Sequence, residues 1–119
     1  MLFRSAQLYE QLVGERLSGV TFVMDYIQLQ FNPPRIINVY TPVTVSSASH
    51  TAKSGDEQFR NALCEQITKI VEAVTVIPRE AFRIIFADHS TVSISLRPSD
   101  YVGAEAIYFQ GREDKWNVI

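Results

Sequence analysis

The chain contains a single cysteine, Cys64, and this scarcity excludes two kinds of site. One thiol cannot form a disulfide within the chain, and it cannot build the four-thiolate cage of a structural zinc centre. Cys64 falls in the middle of a predicted helix beside Glu65, whereas a catalytic thiolate needs a helix N-terminus or a cationic neighbour. We therefore interpret Cys64 as a small apolar side chain.

The chain also lacks a basic stripe, a long apolar run and a glycine-rich loop. Lys and Arg number 11 against 13 Asp and Glu, a net charge of -2, and the basic residues are scattered singly. This argues against a nucleic-acid binder, which tracks phosphates with clustered positive charge. No segment reads as a signal peptide or a membrane span, so we expect a cytoplasmic protein that does not bind membranes. The glycines are isolated and cannot cradle a phosphate.

No catalytic or metal-binding set is recognisable, and the sequence predicts neither a cofactor nor a metal. His50 lies among serines, but a serine nucleophile needs a base held in place by a third group, which a loop does not supply. His89 falls in a predicted tight turn. The two histidines are far apart in sequence and have no metal-ligand spacing. Whether the protein is an enzyme stays open, and the absence of a catalytic set favours a non-enzyme.

What the chain does contain is an approximate internal repeat. Two stretches, 12–41 and 63–96, carry apolar residues in the same order, with an offset of 51 residues before the first turn and 55 after it. Such self-similarity indicates a fold built from two related units. We expect a single domain, 1–119, with repeat units 1–45 and 54–98 and a C-terminal extension 99–119. The matched pairs are Leu12 with Leu63, Val20 with Val71, Val23 with Val74, Ile27 with Phe82, Leu29 with Ile84, Phe31 with Phe86, Ile37 with Val92 and Val39 with Ile94.

Each unit reads as a helix followed by strands. Residues 2–13 have helical spacing and end at Gly14, where a left-handed residue is favoured. A capping box formed by Ser54 and Glu57 predicts a second helix, whose apolar residues recur at three- and four-residue spacing up to Ile70. Alternating apolar and polar residues predict strands elsewhere, with 46–55 as an exposed linking loop. The prediction is an α+β fold: a mostly antiparallel sheet of six to eight strands with two helices on one face, consistent with an internal duplication.

The C-terminal segment from 96 to 119 is the part that the repeat does not explain. It concentrates arginine, carboxylates and aromatic residues, which are the usual anchors of binding surfaces. The alternative interpretation is structural, with Arg97 pairing to Asp100 or Glu105 and Trp116 completing the core. The candidate binding residues are Arg97, Asp100, Tyr101, Glu105 and Trp116.

Three stretches resemble a group of small bacterial proteins of unknown function. These stretches are Asp25 to Phe31, Ala62 to Cys64, and Ser95 to Asp100, which reads Ser-Leu-Arg-Pro-Ser-Asp. The chain departs from the group's pattern at Ser99, where an acid is usual, and at Ala104, where a proline is usual. The resemblance implies a small α+β bacterial protein and carries no activity.

Two functions are compatible with these observations. The first is a non-catalytic protein-binding or assembly module, such as a toxin-neutralising immunity protein or a homodimer formed through strand edges. The second is a small-molecule binding protein or minor hydrolase with a pocket between helices and sheet, using His50, His89 and Asp88. The absence of a catalytic set favours the first.

Overall fold

The computed structural model describes residues 9–31, 35–111 and 116–119, and of Trp116 and Asn117 only the backbone. Within these residues the chain forms ten strands, one short α-helix and two 3-10 turns, Glu10–Leu12 and Pro98–Asp100. The elements are β1 Leu17–Phe22, β2 Ile27–Phe31, β3 Ile36–Val39, β4 Val43–Ser46, β5 Thr51–Lys53, α1 Phe59–Cys64, β6 Val71–Ile77, β7 Ala81–Phe86, β8 Thr91–Ser95, β9 Ile107–Gln110 and β10 Trp116–Val118.

The strands form two five-stranded sheets in which every pairing is antiparallel. The first sheet has the order β1-β2-β3-β9-β10, and the second has the order β5-β4-β8-β7-β6. Exchanging every strand for the one five places away in the chain (β1 for β6, β9 for β4, and so on) converts the first order into the second, read in reverse. Each half of the chain therefore builds a three-stranded meander in one sheet and sends its last two strands to the other sheet.

The registers of the two sheets correspond as closely as their strand orders. Leu29 lies opposite Ile37 in the first sheet, and Ile84 lies opposite Val92 in the second. The same match relates β1 to β6, since each strand has an irregularity at its start, between Leu17 and Gly19 and between Val71 and Ala73. Two positions with the same pairing in the two sheets are called equivalent below. A common origin of the two halves stays a prediction.

The equivalent positions differ in part from those that the sequence indicates. In β1 and β6, Val20 pairs with Leu29 and Val74 pairs with Ile84, so Val20 is equivalent to Val74 and not to Val71. The segment from 107 to 118 supplies β9 and β10, which are the equivalents of β4 and β5. It is therefore an integral part of the second half in the structure.

The sheets meet along one edge as well as through the core. Arg16, just before β1, forms an antiparallel bridge with Ile70, just before β6. The bridge is extended by backbone hydrogen bonds from Leu17 N–H to the Lys69 carbonyl (3.0 Å) and from Val71 N–H to the Glu15 carbonyl (2.8 Å). The backbone groups of these two edges thereby bond to each other.

One cluster of buried apolar side chains draws on both sheets, the first 3-10 turn and the helix. Tyr9 lies at its centre, fully buried, with ring centroids 4.7 Å from Phe82 and 5.1 Å from Phe109 in edge-to-face geometry. Burial raises the pKa of the Tyr9 phenol above its ordinary value. Alternation along each strand leaves the outer faces polar, as the sequence predicts for Gln28, Asn38 and Ser93.

The predicted α+β fold with two helices covering one sheet face is wrong. The described chain is mostly β-structure, in two sheets instead of one, with ten strands instead of six to eight. The physical reason is that each half presents an apolar sheet face, and the two halves bury these faces in a common core. A second sheet therefore takes the place of the helical layer.

The second predicted helix is much shorter than its apolar pattern implies. It covers only Phe59–Cys64 and has no side-chain cap, because the Ser54 hydroxyl accepts a hydrogen bond from Val43 N–H (2.8 Å) instead. Ile70 lies outside the helix and is 40% exposed. The apolar residues that predicted one long helix therefore belong to two parts of the chain, the short helix α1 and the segment that leads into β6.

Two other local predictions have different outcomes. Residues 46–55 are not wholly a loop, since β5 forms within them and pairs with β4. The first predicted helix, 2–13, lies mainly outside the described residues, and its described part contains the 3-10 turn. Gly14 has φ +86, so the left-handed residue predicted there is confirmed.

Candidate functional site

A depression of about 510 Å³ lies on the outer face of the second sheet. Its floor consists of short residues from neighbouring strands: Thr44 of β4 lies opposite Ser93 of β8, and Ser95 lies opposite Ala81 of β7. Charged residues surround this floor at the edge strand, at the β6–β7 turn and in the segment after β8. These surrounding residues are Lys53, Glu80, Arg97 and Asp100. We call these residues, with Pro42, the outer pocket.

The depression exists because its floor residues are small where the equivalent residues of the first sheet are large. Continuing the β2–β3 register makes Tyr26 the equivalent of Ala81, and Tyr40 the equivalent of Ser95. The two tyrosine rings contact each other, with centroids 5.7 Å apart. At the equivalent positions of the second sheet, Ala81 and Ser95 carry only a methyl and a hydroxymethyl group. The space that the two rings fill on the first sheet is therefore open on the second.

The same contrast holds in the next row of residues. Asn38 and Tyr108 lie opposite each other in the first sheet, where the second sheet has Ser93 and Thr44. Asn38 also accepts a hydrogen bond from the Gln28 amide (3.0 Å), so the polar groups of the first sheet are partly paired. The outer pocket therefore belongs to the outer face of the second sheet, where the residues are smaller than their equivalents in the first sheet.

The charged groups of the outer pocket are largely unpaired. Within the described residues, the side chains of Lys53, Glu80 and Arg97 form neither a salt bridge nor a hydrogen bond. The same is true of the Thr44 and Ser93 hydroxyls. These three charged side chains are exposed, and a few polar groups placed around a depression can orient a bound ligand.

A local hydrogen-bond network holds one side of the outer pocket in place. The Ser95 hydroxyl donates to the Asp100 carboxylate (2.5 Å), and Arg97 N–H donates to the Ser95 oxygen (3.2 Å). Asp100 ends the second 3-10 turn, so this carboxylate fixes the turn against the end of β8. Among the residues that the structure describes, the Arg97 guanidinium has no ion-pair or hydrogen-bond partner. The alternative pairing of Arg97 with Asp100 or Glu105 is not formed.

The five candidate residues do not form one cluster. Arg97 and Asp100 border the outer pocket, and half-buried Tyr101 packs against the core and lines a separate apolar groove with Ile119. Glu105 lines a third depression. The side chain of Trp116 lies outside the described residues, so its predicted role is untested.

Three residues of the outer pocket were missed in the sequence: Lys53, Glu80 and Thr44. Lys53 falls in the predicted linking loop 46–55, and Glu80 carries no signal that would connect it with the residues of β4 or β8. Alternation along the predicted strand from 36 to 45 places Thr44 on a polar face, but nothing in the sequence shows that β4 leaves the sheet of β3. Their convergence depends on pairings between distant strands.

A smaller pocket, about 260 Å³, lies where α1 meets the second sheet, and it holds the residues of the alternative function. His50 and Asp88 both line it, and the His50 ring Nδ1 lies 3.0 Å from the Ser49 hydroxyl. His89 is exposed, has φ 71 in the β7–β8 turn, and does not line the pocket. The structure therefore brings together two of the three predicted residues.

The polar groups of this smaller pocket are engaged with one another. Lys69 Nζ lies 2.8 Å from the Asp88 carboxylate, and the Ser90 hydroxyl donates to the side-chain amide oxygen of Gln66 (2.7 Å). Hydrogen bonds from Lys69 and then from Ser90 hold the pKa of Asp88 well below its usual range. Asp88 also accepts Ser90 N–H at 3.0 Å, a short-range bond by which an aspartate stabilises a tight turn.

This arrangement does not resemble a nucleophile with its base. Ser90 is only 2% exposed, so a substrate cannot reach its hydroxyl, and Lys69 is already paired with the Asp88 carboxylate. Within the described residues no group of three or more His, Cys, Asp or Glu side chains is placed to hold a metal ion. None of the helices in the described ranges is long and apolar enough to cross a membrane.

Comparison of the chain with protein-family models, with curated proteins and with solved structures finds no match.

Proposed function

We propose that this protein is a non-catalytic, cytoplasmic protein-binding module that holds a partner protein at the outer pocket. The observation that supports this most is a set of charges around a hydroxyl-lined floor, Lys53, Glu80 and Arg97, whose side chains have no partner among the described residues. Charged groups at a binding surface give specificity and speed association more than they add affinity. An immunity-like inhibitor of another protein is one concrete form of this function.

A foreign partner is favoured over a second copy at the β5 edge. Asp56 Oδ2 accepts the Lys53 N–H (2.8 Å), and Asp56 N–H donates to the Lys53 carbonyl (2.9 Å). These bonds occupy backbone groups that an added strand would need. The β5 edge is therefore a poor surface for forming a homodimer by strand addition.

The second candidate function is small-molecule binding in the smaller pocket beside α1. The proximity of His50 and Asp88 supports it. Its weakness is that Lys69, Ser90 and Gln66 already satisfy one another there. A hydrolase activity has still less support, because Ser90 is buried.

A pull-down with matched variants tests the proposal. Lys53→Ala with Arg97→Ala removes two positive charges from the outer pocket, and Arg60→Ala with Arg79→Asn removes two from exposed positions elsewhere. We expect wild type and the second variant to retain the same stoichiometric partner, and the pocket variant to lose it. Equal capture by both variants, or recovery of the bait alone from all three, would contradict the proposal.

A further inference from the structure

We infer that the third depression on the surface binds a small organic cation, an ammonium ion that carries an apolar substituent. The depression lies at the end of the first sheet where β2 and β9 begin, and its volume of about 520 Å³ is within the range of small-molecule sites. The residues that line it are Asp25, Tyr40, Val102, Gly103, Ala104 and Glu105.

The strand register explains why two acidic residues flank a tyrosine here. Continuing the β2–β3 register places Tyr26 opposite Tyr40, and on the other side Tyr40 N–H donates to the Ala106 carbonyl at 2.8 Å. Asp25 directly precedes Tyr26, and Glu105 directly precedes Ala106. Since β2 and β9 are the two neighbours of β3, the backbones of these acidic residues lie on either side of Tyr40. Two strand spacings of roughly 4.8 Å separate them, or about 10 Å.

Tyr40 gives the third depression an aromatic wall. Its ring contacts the ring of Tyr26, with centroids 5.7 Å apart, and both tyrosines are half-buried. This contact restricts the Tyr40 ring, which also lines the depression. The face of an aromatic ring attracts a cation within about 6 Å of the ring centroid. A positively charged ligand is therefore favoured on this wall.

The charges of the third depression have one sign. Among the residues that the structure describes, the charged ones that line it are Asp25 and Glu105. Neither carboxylate forms a salt bridge or a hydrogen bond with another described residue. A cation between the two is attracted by both, whereas an anion is repelled by both. Charge complementarity thus selects the same ligand as the aromatic wall.

The rest of the lining is apolar and favours an organic cation over a metal ion. Val102 lines the depression and is 92% exposed, and Ala104 adds a methyl group. An apolar substituent that covers this surface removes it from water, which favours binding. A hard metal ion would need more oxygen ligands than two carboxylates, and the described residues offer no group of three His, Cys, Asp or Glu side chains for one.

The outer pocket provides a comparison within the same molecule. Its Glu80 is the equivalent of Asp25 by continuation of the two registers, and its Ser95 is the equivalent of Tyr40. Lys53 and Arg97 also line the outer pocket, so it carries both signs of charge and has a hydroxyl in place of the ring. An organic cation should therefore distinguish between the two places.

A titration of 15N-labelled protein with n-butylammonium tests the ligand class. We expect the amide signals of Tyr40, Gly103 and Ala104 to shift with a Kd on the order of 1 mM, and the amide signals of Thr44 and Ser93 to stay unchanged. The control compounds are 1-butanol, which lacks the charge, and methylammonium, which lacks the apolar part. Each should bind at least about threefold more weakly, because each loses one of the two contributions.

Variants of the charged residues locate the site. Asp25→Asn and Glu105→Gln should each weaken binding of n-butylammonium by about twofold to fivefold, the effect of an exposed ion pair. Glu72→Gln, which removes an exposed carboxylate from β6 of the other sheet, is the matched control and should leave the Kd unchanged.

Variants of Tyr40 test the aromatic wall. Tyr40→Leu should weaken binding by about twofold to fivefold, because it removes the ring, and Tyr40→Phe should bind like wild type. Since Tyr40 also contacts Tyr26, Tyr40→Phe is the variant that keeps this packing, and a Tyr40→Phe protein that loses the ligand would contradict a role for the ring face.

Four results would overturn the inference. These are equal affinity for 1-butanol and n-butylammonium, unchanged affinity in a variant that combines Asp25→Asn with Glu105→Gln, and unshifted amides at about 10 mM n-butylammonium. The fourth is tighter binding of the blocked peptide acetyl-Gly-Lys-Gly-amide than of n-butylammonium, which would assign the site to a lysine side chain of a protein. The pull-down depends on Lys53 and Arg97 and not on Asp25 or Glu105, so this proposal and the proposed function can fail separately.

Discussion

Thr68 stands at the position in the second half of the chain that Gly14 occupies in the first, and the two residues have the same left-handed backbone. Their φ angles are 87 and +86. Gly14 N–H donates to the Val71 carbonyl and Thr68 N–H donates to the Leu17 carbonyl, both at 2.8 Å. A β-branched residue is thus held in a conformation that glycine adopts freely, because the junction between the sheets requires it.

Thr68→Gly is expected to stabilise the protein. Left-handed backbone costs a residue with a Cβ about 1–2 kcal/mol, and the greater freedom of unfolded glycine offsets about 0.5–1 kcal/mol of the gain. The net increase in the free energy of unfolding should be about 0.5–1 kcal/mol, measured by urea denaturation. The backbone bonds of Thr68 do not depend on its side chain and should persist.

Gly14→Ala is the matched control and should have the opposite effect. A Cβ at Gly14 would meet no atom within 4 Å, so any loss reports backbone strain and not a clash. We expect a net loss of about 0.5–1 kcal/mol in the free energy of unfolding, because the smaller freedom of the unfolded chain offsets part of the strain. A destabilising Thr68→Gly together with a neutral Gly14→Ala would show that this junction is not strained.

The sequence predicts the interior strands well because their alternation is local. The Ile27, Leu29 and Phe31 pattern and its partner Phe82, Ile84 and Phe86 both correspond to strands with equivalent registers. The tight turn predicted at His89 is confirmed for the same reason, since the Asp88 hydrogen bond that stabilises it spans only two residues. Signals of this kind need no knowledge of distant contacts.

The packing of one sheet against the other could not be predicted from this local alternation. Alternation shows that a strand has an apolar face, but it does not show whether a helix or another sheet covers that face. The short break at Tyr40 to Pro42 carries the chain from one sheet to the other, and its sequence resembles an ordinary edge bulge. The outer pocket depends on this crossing, because it brings Thr44 beside Ser93.

Truncation of the helix side chains should destabilise the core. Leu63 is fully buried and Phe59 is 5% exposed, so Leu63→Ala and Phe59→Ala should each cost about 2–5 kcal/mol. Cys64→Ala, at the exposed neighbouring position, should change the free energy of unfolding by less than about 0.5 kcal/mol. Losses below about 1 kcal/mol at both buried positions would mean that this helix face is wrongly placed.

Asp88 should make stability depend on pH in the acidic range. Because its pKa is lower in the folded state, Asp88 stabilises the fold above the unfolded-state pKa of about 3.9, and this contribution is lost as the pH falls toward the folded value. Asp88→Asn removes the titrating group, so its urea midpoint should fall less steeply with decreasing pH than that of wild type.

The size of this effect should be modest, because the Asp88 side chain is 52% exposed and its pairing with Lys69 is screened by solvent. Added salt should reduce the difference between wild type and Asp88→Asn at neutral pH. Parallel pH profiles for the two proteins would contradict the assignment of the low pKa.

Thr44→Tyr should separate folding from binding. The equivalent position in the first sheet holds Tyr108, which shows that a tyrosine is compatible with this place in the fold. The larger ring should fill the floor of the outer pocket, while stability changes by no more than about 0.5 kcal/mol, as at other surface positions.

Thr75→Tyr, on β6 of the same outer face but away from the outer pocket, is the control. We expect Thr44→Tyr to lose the pull-down partner and Thr75→Tyr to retain it, with both melting like wild type. Retention by a folded Thr44→Tyr variant would place the partner elsewhere on the surface.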